Sequence, residues 1–140
     1  MSRIFWGTNI YIYLFEGVAP FFEQVSALRS KMVERQDELL TSTMTLGELQ
    51  VGPRRSGNAA AAEQYRDTVL QTGTVLPFDL KAADLYARLR TNPAIKSPDA
   101  IQLSCAAAAG VELFVTNDKA LHNLAIPGIH FITSLDRIPL

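Results

Sequence analysis

The chain has 140 residues, 48% hydrophobic and 19% charged, with one cysteine and thirteen Lys and Arg against fourteen Asp and Glu. A chain of this length buries about 68–70% of its unfolded surface, so residues 1–140 read as a single domain with a real core, and a disordered tail or fibrous repeat is excluded. Lone Cys105 excludes a disulfide framework and a cysteine-rich zinc site, and a net charge of −1 argues against coating nucleic acid by bulk charge.

In chain order, residues 3–6 are a β-prone run. From Pro20 the pattern turns helical: Phe21, Val25, Leu28 and Met32 recur at three- and four-residue steps. Leu39–Thr43 is a second strand candidate. Thr45 opens a short helix that Gly52-Pro53 is expected to end. Asn58 caps a helix through Gln71, with Gly73 as its stop. Thr74–Leu76 is extended, and Asp79 caps the helix carrying Leu80, Ala83, Tyr86 and Arg90. Ser97-Pro98 starts a helix that continues from Ala100 to Ala109 and ends at Gly110, since Pro suits the first helical turn. Val111–Val115 and Ile129–Ile132 are the last strands. Strands separated by helices predict a parallel sheet covered on both faces, an α/β sandwich whose site lies beyond the carboxyl ends of the strands.

No stretch reads as a signal peptide or membrane span. Thr8, Asn9 and Glu16 interrupt the apolar start, and the run Cys105–Ala109 falls far short of the ~20 residues that cross a bilayer. The expected location is the cytoplasm, with no membrane partner.

Three carboxylates stand where the sheet rule puts chemistry: Glu48 after the second strand, Asp99 after Ser97-Pro98, and Asp118 after Val111–Val115. Acids gathered from distant parts of a chain suit a hard cation such as Mg²⁺ or Mn²⁺. Each also has a plain structural reading. Thr45-Leu46-Gly47-Glu48 fits a capping box, Asp99 suits the positive end of a helix, and Asp118 can cap a short helix through Leu121. Spacing alone leaves both readings open.

Charge is uneven. Residues 54–96 hold seven Lys and Arg against four acids. Arg54-Arg55 fall in an expected Gly52–Gly57 loop, either as solvated side chains or as contacts to a nucleic-acid backbone. Lys96 and Lys119 adjoin Asp99 and Asp118, and either balance them or meet phosphate. Seven of the twelve aromatic residues lie within the first 22; the helical spacing of Tyr11 and Phe15 points to core or groove rather than base stacking. His122 and His130 lack paired ligand spacing and are expected in ordinary polar or packing roles.

Four stretches, in order, carry a family resemblance: Ile4 to Leu14 around Gly7-Thr8-Asn9, Thr45-Leu46-Gly47-Glu48-Leu49, Ser97-Pro98-Asp99-Ala100-Ile101-Gln102-Leu103, and Phe114-Val115-Thr116-Asn117-Asp118. The chain resembles the PIN-domain ribonucleases, specifically the VapC-type toxins of bacterial toxin–antitoxin modules. That resemblance implies a PIN-like α/β/α sandwich with a short parallel central sheet, and a Mg²⁺- or Mn²⁺-dependent site that hydrolyses RNA phosphodiesters. By position it makes Glu48, Asp99 and Asp118 the metal and catalytic acids, and Asn9 and Thr116 their polar supports. It implies a cognate antitoxin seated over a hydrophobic surface that includes Tyr11 and Phe15, a homodimer, and DNA contact only through an antitoxin complex.

Position 7 departs from the pattern. Where the family's first block has an Asp ligand, this chain has Gly7, which implies impaired or lost activity. A glycine at a strand-to-helix turn is structurally easy, so a degenerate copy is one origin. An isolated inactivating change in an otherwise well-formed site is the other, and the better supported. The alternatives to a ribonuclease toxin are a non-catalytic PIN module that binds antitoxin or RNA, and a small-molecule phosphohydrolase. The last lacks both a first-strand Asp nucleophile and a Gly-rich phosphate loop.

Overall fold

Side-chain alternation decides how the strands sit. In β1 (Arg3–Trp6), Ile4 and Trp6 enter one hydrophobic core and Phe5 the other. In β2 (Glu38–Ser42), Leu39 and Leu40 divide the same way, and β4 (Val111–Val115) sends Leu113 and Val115 to the first core and Phe114 to the second. A sheet apolar on both faces has to be covered on both. In the computed structural model, which describes residues 1–140, six helices do so.

Helices α1 (Thr8–Phe15), α2 (Phe21–Arg35), α3 (Thr43–Arg55) and α4 (Ala59–Thr72) supply Ile10, Val25, Leu28, Met32, Leu49 and Val69 to the first core. Helix α6 (Ser97–Ala109) fills the second with Ala100, Leu103 and Ala106, and Leu85 and Leu89 of α5 (Leu80–Leu89) pack against it. Small alanines let α6 lie close on the sheet. Phe5 and Phe114 stack there with centroids 4.8 Å apart, a pair worth about 0.5–1.5 kcal/mol beyond its buried area. With β3 (Thr74–Leu76) and β5 (Ile129–Thr133) the sheet is five-stranded and wholly parallel, in the order β3-β2-β1-β4-β5. This is the expected PIN-like α/β/α sandwich. No helix is long and apolar enough to cross a membrane.

The chain builds outward from β1 to β3 on one side, then crosses to β4 on the other, so the order reverses between β1 and β4. Such a reversal opens a crevice at the carboxyl ends of the two strands, here beside the paired residues Trp6 and Val115.

Helix ends follow the expected chemistry where a side chain can cap. Asn58 accepts from Ala61 N at 3.0 Å and Asp79 from Ala82 N at 2.9 Å. Two expectations need correction. Helix α3 starts at Thr43, not Thr45, and runs through Gly52-Pro53 to Arg55. Pro53 lies inside the helix and removes one backbone donor, yet the helix continues for two more residues. Arg54 also reaches back one turn to Gln50 Oε1 at 3.0 Å, and two cations suit the negative end of the helix. Arg54 and Arg55 are therefore helical, not in a loop. Tyr11 is a core residue, 2% exposed, its ring 5.2 Å from Trp6. It offers no surface to a partner, whereas Phe15 stays half-buried and stacks on Tyr65 at 4.9 Å.

Candidate active site at the carboxyl edge of the sheet

The crevice is a small cleft of about 110 Å³. Gly7 and Thr8 enter it from the end of β1, Glu48 from α3, Asp99 and Gln102 from α6, and Thr116 and Asp118 from the end of β4. The three acids singled out in the sequence thus line one site, although 51 and 19 residues separate them in turn.

The plain readings of these acids fare differently. Glu48 is not a capping-box partner, because Thr45 lies inside α3 and the Ser42 N-cap makes no side-chain cap bond. Instead Glu48 Oε1 accepts from Thr8 Oγ1 at 2.7 Å. Asp118 does cap the following 3-10 turn, accepting from Ala120 N at 3.0 Å, while its own N–H donates to Thr116 Oγ1 at 3.1 Å. One carboxylate oxygen of Asp118 remains for other work. Asp99 lies in the first turn of α6.

A buried network sets Glu48 in place. Gln102 Nε2 donates to Thr45 Oγ1 at 2.7 Å and to Thr8 Oγ1 at 3.0 Å, and Gln102 Oε1 pairs with the Ser42 hydroxyl. Thr41 Oγ1 lies 2.9 Å from both the Trp6 carbonyl and Thr45 Oγ1. Thr41 is the donor in both contacts, sharing its one proton between the carbonyl and the Thr45 hydroxyl. The two amide hydrogens of Gln102 thus meet the hydroxyl oxygens of Thr45 and Thr8. Sequence reasoning missed Thr8, Thr45 and Gln102 as site residues. The available signal was spacing: Gln102 lies three residues after Asp99 and shares its helix face.

Electrostatics mark Asp99. Burial raises its carboxyl above the ordinary value, and the charges of Asp118 and then Glu48 raise it further, against a lowering by Lys96. Like charges facing one another across a partly desolvated cleft favour a cation between them. The oxygen donors suit a hard divalent ion. Their present positions do not complete a site: no three acidic, histidine or cysteine side chains converge as metal ligands. Gly7 forms one wall of the cleft. Its backbone is extended (φ −70°, ψ 166°), and a Cβ there would meet only Val115 O, at 3.5 Å. Neither conformation nor space requires glycine, so the expected ease of glycine at this turn does not explain it.

Among the other candidates, Asn9 lines the cleft but bonds none of the acids, a role its neighbour Thr8 performs. Thr116 does orient Asp118. Lys96 acts on Asp99 by charge, and Lys119 lines an adjoining groove. Arg54 and Arg55 line neither cavity. His122 Nε2 donates to Thr116 O at 2.7 Å, the expected ordinary polar role.

Fold and site together define a parallel α/β/α protein with an acidic cleft at the switch point of its sheet. Residues 4–127 match the PIN domain, and the chain belongs to that family. Among solved structures, a DNA-bound VapBC complex from Salmonella typhimurium matches with 21% identity over 96% of this chain and 99% of that one, at a TM-score of 0.76. A VapBC complex from Rickettsia felis, bound to promoter DNA, gives 22% over 94% and 98%, at 0.71. A VapBC toxin–antitoxin complex from Mycobacterium tuberculosis gives 22% over 96% and 99%, at 0.65. At these identities the likeness is one of fold. No curated protein matches the chain.

Proposed function

We propose that the chain is the toxin half of a toxin–antitoxin pair, a PIN-domain endoribonuclease that uses Mg²⁺ or Mn²⁺ and is weakened by Gly7. The observation that carries this reading is the meeting of Glu48, Asp99 and Asp118 in one cleft, with the Asp99 carboxyl raised by burial and by its acidic neighbours. These three would hold the cation. When bound, it supplies a nucleophile at neutral pH and positive charge for the phosphoryl oxygens.

The chain's own residues do the rest. Thr8, braced by Gln102, orients Glu48 with one oxygen engaged. Thr116 and the Ala120 amide fix Asp118. At Gly7 no side chain completes the donor set, and a shift of 1 Å in the attacking group costs on the order of 100-fold in rate. An antitoxin partner is supported by fold neighbours that are themselves VapBC complexes. DNA contact would come through that partner, and a second copy of this chain would complete the assembly.

The test is Gly7→Asp. The variant, folded and supplied with Mg²⁺ or Mn²⁺, is expected to cleave RNA, and Glu48→Ala in the same background to abolish cleavage. A folded Gly7→Asp chain that cuts no RNA overturns the ribonuclease reading. The absence of a converged ligand set favours one alternative, a non-catalytic PIN module that binds RNA or antitoxin. That reading predicts binding without cleavage in both forms.

A further inference from the structure

Beside the acid cleft lies a much larger cavity of about 810 Å³, between α1 and α2 on one side and the end of β5 on the other. Volumes of ~300–1,000 Å³ hold a ligand of nucleotide or drug size. The segment after β4 is the wall between the two. Thr116 and Asp118 line the cleft, while the alternate residues Asn117 and Lys119 line the groove. The wall is braced on the groove side, where Asn117 Oδ1 accepts from Leu135 N at 3.0 Å. A polymer whose backbone enters the cleft therefore has a formed channel one residue's thickness away.

The chemistry of that channel is specific. Beyond residue 96 the chain has only two cationic side chains, Lys119 and Arg137, and both line this groove. Neither has a carboxylate within ion-pair distance. The one acid in the lining, Asp136, is tied to the Ser134 hydroxyl. Tyr13 and Phe21 add a half-buried stacked pair with centroids 4.4 Å apart. Only three of the twelve lining residues are hydrophobic, which rules out a groove built for the apolar face of a helix. Free cations, amide groups and an aromatic face together suit a single nucleic-acid strand, because phosphate needs the first and a base the other two.

We propose that this groove seats one or two nucleotides of single-stranded RNA flanking the phosphodiester in the acid cleft. Lys119 and Arg137 hold the phosphates, and the Tyr13–Phe21 pair offers its face to a base. The proposal rests on the reading of the cleft as an RNA-cutting site. It moves the RNA track away from Arg54 and Arg55, which lie on the far turn of α3.

The experiment measures anisotropy of a labelled single-stranded RNA decamer against the full chain at several salt concentrations, without divalent ions. For single strands each neutralised phosphate contributes about 0.7 to the slope of log affinity against log salt. Lys119→Ala and Arg137→Ala are each expected to weaken binding several-fold and flatten the slope by about 0.7, with Lys119→Arg restoring it. Both side chains are exposed and free of ion pairs, so melting temperatures should be unchanged. Wild-type affinity and slope in the Lys119→Ala/Arg137→Ala double variant overturn the groove, and so does a slope lost only in Arg54→Ala/Arg55→Ala. Either result leaves Gly7→Asp cleavage free to stand. No RNA binding by the unaltered chain overturns the groove outright, and cleavage by Gly7→Asp then decides separately whether the ribonuclease reading survives.

Discussion

The Thr8 hydroxyl gives its only proton to Glu48 Oε1, 2.7 Å away, because Gln102 already donates to the same hydroxyl oxygen from 3.0 Å. One amide on α6 thereby sets the direction of a hydrogen bond between the start of α1 and α3. Thr8→Val keeps the shape and removes the link, leaving a Gln102 hydrogen and a carboxylate oxygen without their partner. The expected loss is about 1–3 kcal/mol of unfolding free energy, read from urea denaturation. Thr8→Ser should recover most of it. A Thr8→Val chain as stable as the original would show that the network does not hold Glu48.

Position 7 makes a stability prediction independent of catalysis. Its backbone is ordinary extended chain, and a Cβ would touch only Val115 O at 3.5 Å. Gly7→Ala should therefore stabilise by about 0.4–1 kcal/mol, through the lower entropy of the unfolded chain. Gly128 is the contrast. Its φ is +98° and a Cβ would sit 2.4 Å from Ala107 O, so Gly128→Ala should cost at least about 1–3 kcal/mol. Thermal melts of the two variants should move in opposite directions. A destabilised Gly7→Ala would mean that the site tolerates no side chain there, and the Gly7→Asp experiment would lose its basis.

Asp99 makes a prediction about pH. Burial, Asp118 and Glu48 raise its carboxyl in the folded chain above the value it has unfolded. As pH falls, the folded form takes up this proton first. Asp99 therefore adds stability that is fully present below the ordinary carboxyl range, about pH 3.9, and is lost as pH rises through the folded value. At neutral pH the ionised group is a source of strain, so Asp99→Asn should raise the melting temperature by on the order of 1–3 °C. The gain should vanish at about pH 3, where both forms are neutral. A gain that persists in acid would trace to something other than the acidic neighbours.

Much of the architecture was legible because local signals agreed. Asn58 and Asp79 cap where their side chains predict, Gly73 and Gly110 stop their helices, and the alternation of Ile4, Phe5 and Trp6 demands cover on both faces. The end of α3 was misread because Gly52-Pro53 lies within the helix without ending it. The acids could be named from their blocks, but not the threonine and glutamine that brace them. Thr8, Thr45 and Gln102 become partners only after α1, α3 and α6 fold together, and only the three-residue step from Asp99 to Gln102 marks one of them in the sequence. The groove holding Lys119 and Arg137 was hidden for the same reason, since 18 residues separate them and the net charge of −1 averages them away.

Tyr11 carries the last prediction. Its hydroxyl and the Trp6 Nε1–H are both buried without a hydrogen-bond partner, and the two rings lie 5.2 Å apart at 59°. Burial holds the phenol well above the usual tyrosine range, so its phenolate absorbance should appear only as the chain unfolds. Tyr11→Phe deletes a desolvated hydroxyl and breaks no bond, and should stabilise by up to about 1–2 kcal/mol. Because the ring lies inside the core, the substitution should leave the surface of the chain unchanged. If Tyr11→Phe instead destabilises by 1 kcal/mol or more, a typical net hydrogen-bond contribution, the hydroxyl has a partner in solution. A buried water shared with Trp6 Nε1 is then the group that meets its needs, because it can donate to one atom and accept from the other.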